Sequence, residues 1–499
     1  MQPEKPQRRP VIAVTGATGY IGHNLLQRLV PHADIIALSR HGDRYENTDR
    51  IQWCSCDFFS FEDAEKGLRG ADYAVYLIHS MLPSAKLTQG RFEDMDVILA
   101  EHFARAAYRN GVKQIVYLSG IIPPDTRKDD LSRHLRSRLE VEQVLGSYGV
   151  PVTTLRAGLI VGPEGSSFPI LAKLVRRLPV MILPTWTRTK THPIALQDVL
   201  EAFVRSIGNR EVYSQAIDIG GPDVMSYKDM MQQTAAMLGK RRRFFPVPLL
   251  TIKLSRLWVT LITGAPKEMA YPLIESLAHP MVAQSRHLVE GISYGSIAYE
   301  AAARAALEEE RQKKLEEKRG RSNRSRHPLR SLRRSLKSDV RSVQRICLPE
   351  GKDADWLAAY YLAWLSRFAK PLIRTETCAD EITRIYILLS RKPLLELAFI
   401  RSRSRTDHAI YRIAGGSFAN VRDAHRGRLE FLQIPGTREC IVAIHDYMPS
   451  LPWFVYKYSQ AKVHLAVMHL FNRHLLRLIR RNKLKDAKRH KHAATVKRP

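Results

Sequence analysis

The stretch that decides the fold is VIAVTGATGYIG, residues Val11–Gly22. Apolar and β-branched residues at its start predict a buried strand, and the glycines that follow predict a tight turn into a helix. Glycine suits this turn because the chain bends sharply, a bound phosphate must approach the backbone, and the helix packs close to the strand. The N–H groups at the helix start then face the phosphates. This arrangement is typical of a site for the pyrophosphate of a dinucleotide.

From this stretch outward, short apolar runs alternate with amphipathic helical patterns as far as about residue 219. The alternation predicts parallel strands joined by crossover helices, which is a Rossmann-type doubly wound α/β sheet. The predicted strands are Val11–Thr15, Asp34–Leu38, Ile51–Cys54, Tyr73–Leu77, Gln114–Leu118, Thr153–Ala157 and Ala216–Ile219. A chain of 499 residues is longer than one hydrophobic core usually supports, so a further domain is expected.

Changes in composition divide the chain into four predicted regions. Residues 1–285 form the dinucleotide-binding domain with a small helical region on its substrate side, and residues 286–345 form a charged helical and basic linker. Residues 346–482 form a second, α+β domain, and residues 483–499 a basic, disordered tail. The elements predicted in the second domain are helices Asp353–Phe368 and Trp453–Arg480 and strands Ile382–Leu389, Leu394–Arg401, His408–Ile413, Arg428–Gln433 and Arg438–His445.

The end of the second predicted strand indicates which dinucleotide is bound. An NAD-specific site usually presents an acidic side chain here to the ribose hydroxyls. This chain has Ser39 and Arg40 at that position, with Arg44 close behind. A cation there matches a 2′-phosphate, so NADP is the predicted cofactor and NAD the alternative. The other interpretation of Arg40 is a surface charge that follows a strand.

Other segments of the first domain carry a family resemblance. They are Asp57 after the third strand, Tyr76–Met81 after the fourth, Tyr117–Gly120 at the fifth, and Leu155–Gly158 with Gly162-Pro163 at the sixth. Together with the glycine turn, they resemble the atypical and extended short-chain dehydrogenase/reductases. The most similar branch is the bacterial NAD(P)-binding, NmrA-like and epimerase-like one, and the resemblance covers about residues 10–285.

The resemblance implies the cofactor contacts. Asp57 is expected to meet the adenine, the loop at Ile78–Ser80 to lie along the cofactor, and the stretch after Gly158 to approach the nicotinamide. The candidate cofactor-binding residues are Gly16, Thr18, Gly19, Tyr20, Ile21, Gly22, Ser39, Arg40, Asp57, Ile78, His79, Ser119 and Arg138.

The catalytic unit of the family is only partly present. The family places a Ser or Thr on the fifth strand, followed on the next helix by a Tyr and, four residues later, a Lys. Ser119 is in place, but the segment aligned with that helix has His134 at the Tyr position and Arg138 at the Lys position. Histidine transfers protons near neutral pH, whereas arginine holds hydroxyls without giving up its proton. The candidate catalytic residues are Ser119, His134 and Arg138, with a purely structural role for His134 as the alternative.

The second domain resembles a domain of unknown function that follows such dinucleotide-binding domains. Matching features are Gly415-Gly416, Gly427–Phe431, Ala443–Asp446 and Leu451–Trp453 leading into a long helix. Its architecture is similar to helix-grip folds, which implies a hydrophobic ligand between sheet and helix. The alternative is that the apolar stripe of the helix, including Leu465 and Met468, is plain core.

The formal net charge of +30 is concentrated in Arg311–Arg345 and Arg473–Arg498. These segments are interpreted either as solvated linker and tail or as a peripheral contact with an anionic membrane. Nucleic acid is not the expected partner, because aromatic residues are not interleaved with the basic ones. The five cysteines lack zinc-ligand spacing, so no metal site is predicted. A cytoplasmic protein is expected, with attachment at the inner membrane as a further hypothesis.

These residues are compatible with two functions. The first is an NADP-dependent oxidoreductase or isomerase of a hydrophobic small molecule, favoured by Ser119 and by a ligand-type second domain. The second is a non-catalytic NAD(P)H sensor or an assembly or scaffold factor, related to the accessory proteins of complex I or of quinone pathways. Loss of the Tyr and Lys favours the second.

Overall fold

The computed structural model describes residues 8–81, 85–165, 167–247, 251–320, 337–378, 380–387, 390–419 and 427–495. The chain divides into two compact units. The first comprises Met1–Leu82 and Leu99–His327, and the second comprises Pro83–Ile98 and Pro328–Pro499.

Strands β1 to β21 are, in chain order, Val11–Thr15, Asp34–Ser39, Ile51–Ser55, Tyr73–Tyr76, Ala85–Gln89, Gln114–Gly120, Val152–Ala157, Ile160–Val161, Val180–Leu183, Lys190–Thr191, Ile194–Ala195, Ala216–Ile219, Met225–Ser226, Arg243–Pro246, Lys337–Cys347, Ile373–Thr377, Ile382–Ile387, Leu395–Phe399, His408–Gly415, Arg428–Gln433 and Glu439–Tyr447. Helices α1 to α13 are Tyr20–Leu29, Phe61–Gly67, Phe92–Arg109, Arg133–Leu145, Ser167–Arg177, Leu196–Ser206, Tyr227–Met237, Ile252–Thr263, Lys267–Ser276, Tyr299–Gly320, Ala354–Phe368, Trp453–Tyr458 and Gln460–Thr495.

The first unit is built on a parallel sheet with strand order β12-β7-β6-β4-β1-β2-β3. These are the seven strands predicted from the sequence, so the doubly wound sheet is confirmed. The chain order reverses between β1 and β4, which is the switch point where such sheets bind ligands at the carboxyl ends of their strands.

Helices cover both faces of this sheet. On one face, Leu25 of α1 and Phe203 of α6 are fully buried. On the other face, the ring of Tyr76 packs edge-on against Phe103 and Tyr117, with ring centres 4.9 and 5.8 Å apart. Because strands buried on both faces are apolar along their length, this packing explains the continuous apolar runs of the sequence.

A helical cap of α5, α7, α8 and α9 stands beyond the carboxyl ends of the strands and has its own apolar core. The charged helix α10 also packs there, although the sequence places residues 286–345 in a linker. Its residues Tyr299, Ala303 and Leu307 are buried in the cap core, and the Tyr299 and Thr234 hydroxyls are 2.8 Å apart. The sequence suggests a linker because the buried stripe of α10 is narrow and lies among many glutamates and lysines. Most of the basic part of the predicted linker, residues 321–336, lies outside the described residues.

The second unit contains a sheet of order β16-β17-β18-β19-β20-β21-β15-β5. Neighbouring strands are antiparallel except for the pair β15 and β5. Helices α11 and α13 bury Tyr361, Trp364, Phe471 and Leu475 in a core with Phe431 of β20. The five predicted strands and the helix predicted at Asp353–Phe368 are present, whereas the helix predicted at Trp453–Arg480 is divided into α12 and α13 at Ser459. The sequence does not reveal β5, β15 and β16, because their polar residues conceal the alternation.

The C-terminal end also differs from the sequence expectation. The long helix α13 continues to Thr495, so most of residues 483–499, expected to be a disordered tail, are helical. Residues 483–495 contain no glycine or proline and are rich in lysine and alanine, which favour helix. Among the described helices, none combines the length and the apolarity that a membrane span requires.

Candidate functional site

The glycine turn of the first unit has a geometry that only glycine allows. Gly16 has a φ of +63°, in the left-handed region, and the amide of Gly19 donates a 2.8 Å hydrogen bond to its carbonyl oxygen. A Cβ at Gly22 would lie 2.2 Å from that same oxygen. Helix α1 therefore begins directly above the turn, and Gly19 places no side-chain cap on its first N–H groups. These groups are available for an anion.

A cavity of about 320 Å³ opens at this turn. Its floor is formed by the carboxyl ends of β1, β4, β6 and β7, and its walls by α4 and the helical cap. The lining residues include Gly16, Gly19, Tyr20, Ile21, Gly22, Leu77, Met81, Ser119, His134, Arg138, Gly158, Leu159, Glu164, Ser167, Tyr227, Leu273, Leu277 and Met281. Eight of the sequence-predicted site residues are among them.

The remaining predicted residues lie outside this lining. The Thr18 and Ser39 hydroxyls are 3.4 Å apart, and Arg40 is exposed beside them. The carboxylate of Asp57 is buried and accepts a 3.2 Å hydrogen bond from the amide of Phe59. Ile78 is half-buried. Ser39 and Arg40 lie at the end of β2, Asp57 follows β3 and Ile78 follows β4. The adenosine half of a dinucleotide is expected along these carboxyl ends of the strands.

Ser119 and His134 present polar atoms to the cavity. Within the part of the chain that the structure describes, Ser119 Oγ and His134 Nδ1 are buried and have no hydrogen-bond partner. Buried polar groups are rarely left unsatisfied, so both atoms are suited to a bound molecule. The ring of His79 lies 5.3 Å from that of His134, measured between ring centres.

The environment of His134 keeps its imidazole neutral. Burial lowers the pKa of His134 well below its usual value, and the Arg138 guanidinium and His79 lower it further. Arg138 in turn donates a 3.4 Å hydrogen bond to the Tyr117 hydroxyl. The site therefore has a neutral imidazole that can accept a proton and a fixed cation one helical turn away.

Helix α4, which carries both residues, is held firmly at its start. The side chain of Ser132 caps the helix by accepting from the amide of Leu135 at 3.2 Å. The Ser132 hydroxyl also lies 2.9 Å from that of Ser276, and its amide donates to His279 Nε2 at 3.2 Å. Contacts of this kind fix the orientation of a site side chain.

Tyr227 is a cavity residue that sequence reasoning missed. It is the first residue of α7, and its side chain is almost fully buried. Burial raises the pKa of Tyr227, and the neighbouring Thr191 side chain offsets part of the rise. No motif surrounds Tyr227 in the sequence, because only the packing of the cap on the sheet brings it to the cavity.

Tyr20 closes the opposite side of the cavity. A Cβ at Gly162 would lie 2.2 Å from its hydroxyl, so the ring rests on the Gly162 backbone. Burial, together with the charges of Glu309 and Glu164, raises the pKa of Tyr20 to about 12. Its hydroxyl consequently stays protonated at neutral pH.

A smaller, apolar cavity of about 50 Å³ adjoins the first one, and we call it the annex. The two cavities share Leu159, Ser167, Tyr227, Leu273 and Leu277. The remaining annex residues are Ile170, Leu171, Leu174, Trp186, Met231, Val259 and Ile274. An apolar space thus lies directly beside the main cavity, with Tyr227 in the lining of both.

Comparison with known proteins agrees with this geometry. Residues 16–173 match a family model described as NAD(P)H-binding. The first unit is an NAD(P)H-binding Rossmann domain. Its fold and its nicotinamide cofactor, both expected from the sequence, are confirmed, whereas the preference for NADP over NAD and the individual site residues stay predictions.

The relatives of this domain are diverse. The auxiliary protein GraX of Staphylococcus aureus is 33% identical over 147 residues, which are 29% of this chain and 43% of that protein. The chain therefore matches less than half the length of this relative. The UDP-glucose 4-epimerase of Vibrio cholerae is 22% identical over 266 residues, 49% of this chain and 80% of the epimerase. A solved triphenylmethane reductase from Citrobacter sp., complexed with NADP(H), has 16% identity and a TM-score of 0.46, with 59% of this chain and 99% of the reductase covered.

The second unit has a different kind of cavity. A groove of about 500 Å³ lies between β15 and α13 and is lined by polar and basic side chains as well as Ile346, Leu465 and Met468. On the helix predicted to be apolar, Ala461, Met468 and Phe471 are buried, whereas Phe454, Tyr458 and Leu465 are exposed. Within the described residues, no cluster of histidine, cysteine and carboxylate side chains is arranged to hold a metal ion.

Proposed function

We propose that the protein is an NADP-dependent oxidoreductase or isomerase acting on a hydrophobic small molecule. The observation that carries the proposal is that the main cavity and the apolar annex lie side by side and share Tyr227 and Leu277 in their linings. A phosphate-binding turn lies at one end of this space, and apolar side chains enclose the other. Such a space suits a dinucleotide beside an apolar substrate.

The choice of NADP rests on the end of β2. Arg40 is exposed next to the Thr18 and Ser39 hydroxyls, and no carboxylate occupies the strand end itself. A guanidinium with two hydroxyls favours the 2′-phosphate of NADP over the free ribose hydroxyls of NAD.

The roles of the site residues follow from their polar atoms. The Ser119 hydroxyl donates a hydrogen bond to the carbonyl oxygen of the substrate. The neutral imidazole of His134 accepts a proton at Nδ1 from the substrate hydroxyl in one direction and returns it in the other. Arg138 binds the ribose hydroxyls through its guanidinium, which stays protonated throughout. The bound nicotinamide supplies hydride transfer.

The experiment combines binding and turnover. Titration with NADPH and NADH measures the two dissociation constants, and nicotinamide absorbance then follows oxidation in the presence of quinones, aldehydes and ketones. We expect tighter binding of NADPH and turnover that Ser119→Ala or His134→Ala abolishes, while the exposed His32→Ala retains it. Binding of NADPH without turnover of any compound would instead support the sensor or scaffold function.

For the second unit we propose a helix-grip-like domain that holds a hydrophobic molecule. The antiparallel sheet with the long helix α13 packed on it supports this proposal. We also propose that the protein is cytoplasmic and that its basic segments contact an anionic membrane. A fluorescent fatty-acid analogue is a direct probe: it should bind the full chain, and Ala466→Trp, which fills the groove beside α13, should weaken its binding. Equal binding by this variant would rule the groove out.

A further inference from the structure

Helix α8 exposes apolar side chains on its outer side. Its inner residues Ser255, Val259 and Thr263 are buried. Its outer residues Leu254, Leu257 and Leu261 are 49%, 57% and 79% exposed. Their spacing of three and four residues places the three leucines in one stripe. A helix at a water-exposed surface normally carries polar residues on this side, so the stripe requires an explanation.

Two short strands add to the apolar surface. Val180 and Ile182 of β9 and Phe245 of β14 are exposed, and Ile182 pairs with Phe245 across the two strands. The side chain of Arg177, at the end of α5, bonds to the carbonyl of Ile262. This bond holds the end of α8 beside the end of α5, three residues before β9 begins. We call the six exposed residues of α8, β9 and β14 the α8 patch: Val180, Ile182, Phe245, Leu254, Leu257 and Leu261.

The segments that form the α8 patch carry positive charge only. Residues 165–197 contain five lysines and arginines and residues 230–267 contain seven, and neither segment has an aspartate or glutamate. Lys240, Arg241, Arg243 and Lys253 are exposed within them. An apolar surface whose segments also carry exposed cations is complementary to an anionic lipid surface, where apolar burial and charge attraction act together.

The same helix forms the roof of the annex. Val259, on the inner side of α8, lines the apolar cavity, and Trp186 Nε1 donates a 3.1 Å hydrogen bond to Ser255 Oγ beneath the helix. A single helix thus separates the apolar space beside the cofactor cavity from the exposed leucine stripe.

We propose that the α8 patch docks the protein on an anionic phospholipid bilayer and that the hydrophobic substrate enters the annex from that bilayer. The route of the substrate rests on the proposed function, whereas the docking does not. A second copy of the chain fits the patch less well, because a two-fold interface would place one cationic surface against another. An anionic bilayer can bury the apolar side chains of the patch and attract its cations at the same time.

Vesicle sedimentation of the full chain tests the docking. We expect the protein to pellet with vesicles of phosphatidylcholine and phosphatidylglycerol, to pellet poorly with phosphatidylcholine alone, and to be released as salt increases. The double variant Leu257→Ser with Leu261→Ser should weaken vesicle affinity by about tenfold or more, since two leucines no longer enter the lipid. Substitution of Lys240, Arg241 and Arg243 by Gln should weaken binding to the anionic vesicles.

A matched control and two readouts separate docking from misfolding. Leu315→Ser removes an exposed leucine of α10 and should leave pelleting unchanged. NADPH affinity and thermal unfolding, measured on every variant, should match the unaltered chain, because the substituted side chains point away from both cavities. Failure of the unaltered chain to pellet, or equal pelleting by the leucine variant, would overturn the proposal. A doubled mass in free solution that the leucine variant reduces by half would assign the patch to a second copy and would also overturn it.

Turnover distinguishes this proposal from the proposed function. Turnover of a quinone dissolved in the vesicles should exceed that of a water-soluble analogue for the unaltered chain, and the leucine variant should lose this advantage. Docking without turnover of any compound would overturn the proposed function and leave the docking in place. Turnover of the vesicle-dissolved quinone that does not depend on the leucines would overturn the substrate route and leave the proposed function in place.

Discussion

Gly22 lies so close to Gly16 that a single Cβ at position 22 would be 2.2 Å from the Gly16 carbonyl oxygen. That carbonyl also accepts the hydrogen bond from Gly19, so it cannot move without opening the turn. Gly22→Ala should therefore displace α1 from the turn and weaken NADPH binding by about tenfold or more. Nicotinamide fluorescence measures the change.

The control for this variant is Gly146→Ala at the end of α4. Gly146 has a φ of −81°, and its nearest neighbours to a new Cβ are 3.8 Å away. It should bind NADPH like the unaltered chain. Similar loss in both variants would mean that the Gly16–Gly22 contact has no special part in cofactor binding.

Arg40 is predicted to select the cofactor. Arg40→Ala should weaken NADPH binding by about tenfold while changing NADH binding little, because only NADPH carries the 2′-phosphate. The ratio of the two dissociation constants, measured by titration at constant salt, is the readout. Arg69→Ala, which removes another exposed arginine, should leave the ratio unchanged. A parallel loss of both nucleotides in Arg40→Ala would contradict the assignment.

His134 should make the first unit sensitive to acid. The folded protein holds the imidazole neutral, whereas the unfolded chain protonates it near pH 6.5, so below that pH the unfolded state binds more protons. The free energy of unfolding should then fall with decreasing pH, by up to about 1.4 kcal/mol per pH unit.

Urea unfolding of the unaltered chain and of His134→Gln at pH 7, 6 and 5 measures this contribution. The variant should lose less stability between pH 6.5 and 5 than the unaltered chain does. His32→Gln, at an exposed position, should retain the full dependence on pH. Identical curves for His134→Gln and the unaltered chain would show that His134 titrates normally in the folded state.

Leu277 lines both the main cavity and the annex. Leu277→Phe should reduce the apolar space beside Tyr227 and raise the KM for bulky hydrophobic substrates by about tenfold, with little change for small ones. The dissociation constant of NADPH should stay the same, because the glycine turn is at the other end of the cavity. Steady-state kinetics with a substrate series of increasing chain length provides the measurement. A uniform change across the series would argue against a substrate in the annex.

Glu430 is a buried acidic residue of the second unit. Its carboxylate lies 3.4 Å from His408, 3.3 Å from His445 and 3.6 Å from Arg428. Glu430→Gln removes the negative charge among these groups and should lower the free energy of unfolding by about 3 kcal/mol. Urea unfolding measures the loss, and Glu376→Gln, at a largely exposed carboxylate, should cost less than about 1 kcal/mol. Equal effects would mean that the charge of Glu430 does not support the sheet.

Sequence and structure agree best where the signal is local. The seven strands of the parallel sheet were predicted within two residues of their ends, because strands buried on both faces are apolar throughout. The sequence does not reveal β15, because its buried residues include Arg341 and Ser342, which do not look like core residues. Helix α10 was assigned to a linker because its buried stripe consists largely of alanines among many charges.

The sequence by itself determined the cofactor domain of this protein. The glycine turn, the strand before it and the helix after it are set by steric limits within twelve consecutive residues, and such limits are visible in the residue types. Only the tertiary structure decided what lies beyond the cofactor. Ser119, Tyr227 and Leu277 come from distant parts of the chain, and their meeting depends on how the cap packs on the sheet. The exposure of the α8 leucines is decided in the same way, because periodicity shows that a helix is apolar but not which of its sides is covered.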